Sequence, residues 1–88
     1  APNTANMPKG RILAEQYGCL ACHAERERLV GPAYAEVAKR GYSSDKILQL
    51  VRAPQPTNWP DFETPMPPMT DVPEEDVKEI SGWINSLK

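Results

Sequence analysis

The clearest pattern of apolar and polar positions lies at the C-terminal end. Val77, Ile80, Ile84 and Leu87 follow one another at steps of three and four, with Trp83 beside them. That spacing predicts a helix from near Pro73 to about Leu87. Glu74, Glu75 and Asp76 fall in its first turn, where negative charge suits the helix dipole. A first helix is predicted over about Met7 to Tyr17, capped by Asn6, with Pro8 in its first turn and Gly18 just past its end. Ile12, Leu13, Gln16 and Tyr17 share one face of it; Lys9, Arg11 and Glu15 lie outside that face. A short helix from about Pro32 to Arg40 stops at Gly41. Ser43 or Ser44 then caps another, with Ile47, Leu48 and Val51 inward, which reaches Arg52 and must end before Pro54.

Two segments carry no helical period. Gly18 to Pro32 reads as a loop. Seven of the ten prolines fall between positions 54 and 73, in a stretch that also carries Trp59, Phe62, Met66 and Met69. Flanked by helices in a short chain, this stretch is expected to be an ordered loop stiffened by proline, which lowers the entropy lost on folding. No alternating run is long enough for a strand, and there are no internal repeats. The fold class is all-α, one domain over residues 7–88 after a flexible segment or linker at 1–6.

Composition changes this picture in one respect. Eighty-eight residues, 40% hydrophobic and 7% aromatic, make a core close to the minimum for independent folding, so something is expected to supplement it. The net charge of −2 excludes nothing by itself, and no strongly basic face argues for nucleic acid. Charge is uneven, with eight Lys/Arg against five Asp/Glu in residues 1–52 and two against seven in residues 53–88. Held apart in the fold, the halves would form a dipole able to orient a charged partner; ordinary surface solvation is the plainer reading. No apolar run is long enough for a membrane span. The small polar start at Ala1 reads as a mature terminus after cleavage, hence export to the periplasm, or as an interdomain linker.

The chemistry lies in Cys19-Leu20-Ala21-Cys22-His23, a C-x-x-C-H sequence. Two thiols at this spacing can add to the two vinyl groups of a haem, and the adjacent histidine is then held under the iron. Cys19 and Cys22 would form thioethers and His23 would be the proximal ligand of one covalent haem c. A thioredoxin-like pair would need a βαβ setting. A zinc site would need four ligands, and one histidine and two cysteines fall short. A structural disulfide leaves the histidine unexplained. A thioether is the usual second ligand in electron-carrying haem proteins. Met66 and Met69 are the candidates, Met7 belonging to the first helix. Met66, within Pro65-Met66-Pro67-Pro68, is preferred because the prolines aim its sulfur; Met69 is the alternative, and one of the two is expected to fill the core.

Taken together, Cys19 to His23, Val30-Gly31-Pro32-Ala33-Tyr34, Pro65 to Pro68 and the closing helix with Trp83 resemble the small bacterial class I cytochromes c of respiratory chains. The resemblance implies three to five helices around one haem, with the first and last crossing where Gly10 and Ala14 are small. It implies that the Pro32 carbonyl accepts a hydrogen bond from Nδ1–H of His23, and that Met66 is the distal ligand. Tyr17, Leu13, Ile80, Trp83 and Ile84 would close one side of the pocket. Trp59 resembles the indole that holds a haem propionate; Arg52 could pair with one but reads more simply as a solvated helix-end cation. The loop Ala53 to Thr64 departs from the family in its proline and acid, with Asp61 and Glu63 expected near the haem edge, and the span from His23 to Trp59 is short.

The function this implies is one-electron transfer between redox protein partners by small transient contacts, the chain being a monomer and not an enzyme. One rival is the cytochrome domain of a larger enzyme, such as a quinoprotein dehydrogenase or nitrite reductase. Another is a haem c sensor or peroxidase with a labile distal ligand.

Overall fold

A computed structural model describes residues 8–88, and these contain four α-helices and no strand. The expected Asn6 cap, the placement of Met7 and the flexible segment 1–6 lie outside the described residues. Helix α1 spans Lys9–Gln16, with Pro8 as its N-cap residue rather than inside its first turn. Proline has no amide hydrogen to leave orphaned there. Gly18 follows at φ 79°, a left-handed turn that only glycine makes cheaply, and reverses the chain into a 3₁₀ turn at Cys19–Ala21.

Helix α2, Tyr34–Lys39, begins two residues later than the sequence predicted. Its N-terminus is fixed by the Glu36 carboxylate, which accepts from the Ala33 amide at 3.0 Å. Gly41, at φ 68°, ends it as expected. Ser43 caps α3, Ser44–Arg52, its Oγ accepting from the Lys46 amide at 3.1 Å. A second 3₁₀ turn, Pro56–Asn58, lies in the proline-rich loop. Helix α4 spans Glu74–Asn85 with the three acidic residues in its first turn.

The first and last helices cross closely, as expected. A Cβ on Gly10 would lie 2.4 Å from the Glu79 carbonyl oxygen and 2.5 Å from the Trp83 Cβ, so the crossing admits only a glycine. Tyr17 ties the two helices at their other end, donating to Asp76 at 2.7 Å. Around this crossing Ala14, Tyr34, Ala38, Ile80, Trp83 and Ile84 form one buried cluster. Ile47, Val72 and Val77 form a second, with Met69 packed against it.

Candidate functional site

Residues of both clusters line one cavity. Tyr34, Ile80 and Ile84 come from the first, and Ile47, Val72 and Val77 from the second. Cys19, Cys22 and His23 border it from the loop after α1, and Trp59, Met66 and Met69 border it from the proline-rich loop. Residues that lie far apart in sequence are therefore brought to one apolar space. Helix α1 contributes nothing to the lining. Leu13, Tyr17 and Trp83, expected to close the pocket, are not among its lining residues: Trp83 is buried in the first cluster and Leu13 and Tyr17 pack against it.

The mount of His23 is built largely from backbone. The Gly31 amide donates to the Cys22 carbonyl at 2.8 Å, and the amides of Tyr34 and Ala35 donate to the carbonyls of Ala24 and Glu25, each at 2.9 Å. These bonds fold the loop onto the start of α2 and bring the Pro32 carbonyl to 2.7 Å from Nδ1 of His23. Burial holds the His23 pKa below its ordinary value, with the Pro32 contact opposing that shift. The neutral ring donates from Nδ1, which leaves Nε2 with its lone pair free. Tyr34 stacks on the ring with centroids 4.7 Å apart and is itself braced edge-on by Trp83 at 5.4 Å. Gly31 sits so close that a Cβ there would lie 2.7 Å from Cε1 of His23. This bracing by Tyr34 and Gly31 is not legible in the sequence, although both stand in the Val30-to-Tyr34 motif.

The two methionines that border the cavity differ in their surroundings. Met69 is half-buried against Ile47, Val72 and Val77, and its amide donates to the Val51 carbonyl at 2.8 Å. Met66 is an exposed residue at the cavity rim. Arg52 is half-buried at the end of α3. It donates to the Met69 carbonyl at 2.8 Å, because the loop returns to the end of α3 and leaves that carbonyl without another partner among the described residues. Trp59 is covered by the Arg40 guanidinium, 3.6 Å from the ring centroid, and meets Phe62 edge-on. Asp61 is not a bare charge at the cavity edge: Arg28 pairs with it and also with Glu36.

A haem fits this donor set. Both thiols are free at one edge of a largely apolar cavity, and a histidine is held with one nitrogen available. A thioether borders the same space.

The comparisons agree. The cytochrome c family model matches residues 7–88. Cytochrome c-551 of Allochromatium vinosum is 36% identical over 80 residues, covering 86% of this chain and 83% of that protein. Cytochrome c-552 of Hydrogenobacter thermophilus is 38% identical over 80 residues, covering 86% and 79%. The crystal structure of wild-type Nitrosomonas europaea cytochrome c552 superposes with a TM-score of 0.78 at 28% identity, covering 89% of this chain and 99% of that one. A family match over residues 7–88, a shared helical fold and a cavity suited to the cofactor converge, and the chain belongs to the cytochrome c family as a small class I member with one covalently attached haem c.

Proposed function

We propose that this protein is a one-electron carrier in which Cys19 and Cys22 hold the haem, His23 is the proximal ligand and Met66 the distal one. The carrying observation is the 2.7 Å bond between Nδ1 of His23 and the Pro32 carbonyl, beside a cavity that the methionine-bearing loop also lines. When bound, the haem supplies the Fe(III)/Fe(II) change, taking one electron from a donor and passing one to an acceptor. The chain's residues supply the rest. Pro32 and Tyr34 fix the ring of His23, and the apolar wall excludes water. A sulfur on the distal side fills the coordination position a small substrate would need, which favours transfer over catalysis. Met66 is preferred because Met69 already has a packing role and a fixed backbone. Trp59 serves a haem propionate from the rim.

Residues 7–88 act as the electron-transfer unit, a monomer meeting redox proteins transiently in the periplasm. No helix among the described residues is long and apolar enough to cross a membrane, and the named relatives are c-551 and c-552 cytochromes. The ligand assignment is tested by the red charge-transfer band of the oxidised protein, which reports methionine sulfur on ferric haem. Met66→Ala is expected to abolish it and Met69→Ala to retain it. The reverse pattern overturns the choice of Met66, and absence of the band from the native protein at neutral pH overturns the carrier reading.

A further inference from the structure

The proline-rich loop is stapled at its base and held differently at its tip. At the base, Met69 returns to Val51 and Arg52. Between Gln55 and Pro68, the backbone bonds among the described residues are local: Asn58 to Gln55, Trp59 to Pro56 and Phe62 to Trp59. The tip carries Met66, yet among the described residues no backbone bond crosses from it to another part of the fold. Two arginines cross instead. Arg40 covers Trp59, and Arg28 reaches both Asp61 and the face of Phe62, 5.0 Å from its centroid.

Arg28 is well anchored for this task. Its backbone forms a bridge with His23, so it belongs to the proximal mount. Its Nε donates to both carboxylate oxygens of Glu36, at 2.9 and 3.0 Å, which fixes the guanidinium plane against the start of α2. The same plane then presents Nη1 to Asp61.

We propose that Arg28 is a positioning residue for the distal ligand, latching the loop tip over the cavity mouth and setting how often Met66 leaves the iron. The proposal rests on Met66 as the distal ligand. The Arg28 contacts are half-exposed, so each is modest alone; they act together on a segment whose backbone makes no long-range bond among the described residues.

The test uses the oxidised holoprotein and imidazole as the probe. At saturating imidazole the binding rate is limited by departure of the distal ligand. Arg28→Leu is expected to raise that limiting rate roughly three- to tenfold. Arg28→Lys keeps the charge without the fork and should fall between the two. Asp61→Asn should raise the rate less, and adding it to Arg28→Leu should add nothing further. Salt should speed the wild type and leave Arg28→Leu unchanged. If Met66→Ala loses the red band while Arg28→Leu and wild type share one limiting rate, the latch is overturned and the ligand assignment stands, whatever happens to thermal stability. If Met66→Ala keeps the band, the ligand assignment falls and the latch falls with it.

Discussion

Replacing Gly31 by alanine adds one methyl group against the ring that the proximal mount exists to hold. A Cβ there would lie 2.7 Å from Cε1, 3.1 Å from Nδ1 and 3.3 Å from Nε2 of His23. Carbon atoms rest at about 3.5–4.0 Å from one another, so ring and loop must separate by roughly 0.8 Å. Gly31 does not have a positive φ, so alanine takes its backbone without strain and the whole effect is steric. Pro32 follows Gly31 directly. Whether the ring or the loop moves, the 2.7 Å bond from Nδ1 to the Pro32 carbonyl is stretched toward the limit of a hydrogen bond. Overpacking costs about 1–3 kcal/mol and a weakened hydrogen bond about 1 kcal/mol. Their sum is about 2–4 kcal/mol, read as a lower guanidinium midpoint of the oxidised holoprotein. The reduction potential should rise, because a ring that donates less from Nδ1 is a poorer electron donor to Fe(III). A loss below about 0.5 kcal/mol with an unchanged potential would refute the reasoning.

Two further outcomes are expected. Gly10→Ala meets a backbone carbonyl and the Trp83 Cβ, so α1 and α4 must part, at a cost of about 1–3 kcal/mol; Gly82→Ala, with nothing near its Cβ, should instead gain about 0.5–1 kcal/mol in the same urea titration, and equal effects at the two sites would contradict the crossing geometry. Arg28 holds the carboxyl groups of Glu36 and Asp61 below their ordinary values of 4.5 and 3.8, so their contribution is present above those values and is lost as pH falls through the lowered folded values. Urea midpoints should therefore decline below about pH 4.5, more steeply in wild type than in Arg28→Leu, and parallel profiles would remove Arg28 as the cause.

What could be read from the chain alone was whatever local chemistry decides. Gly18 and Gly41 ended their helices because a left-handed residue was needed there, and Ser43 capped α3 through its own hydroxyl. Gly10 as the crossing point and the Pro32 carbonyl as the partner of His23 followed from the family resemblance, and the structure bears out both contacts. Arg28 was illegible, since its partners Glu36 and Asp61 lie 8 and 33 residues away and meet it only after the loops fold. The Arg52 contact is illegible for the same reason: the return of the loop at Met69 brings up the carbonyl that its Nη1 serves. The resemblance puts Leu13, Tyr17 and Trp83 on the pocket wall together with Ile80 and Ile84; only the last two line the cavity, while the other three pack in the cluster where α1 and α4 meet.

The two sides of the cavity are made of different material. Amides of Gly31, Tyr34 and Ala35 bind the histidine side to the body of the fold, whereas the methionine side is a lobe closed at Met69 and pinned at its tip by side chains. Such a lobe is an interchangeable part. Between Gln55 and Pro68 its backbone bonds among the described residues are its own, and it meets the histidine side through the single side chain of Arg28, whose backbone bridges His23.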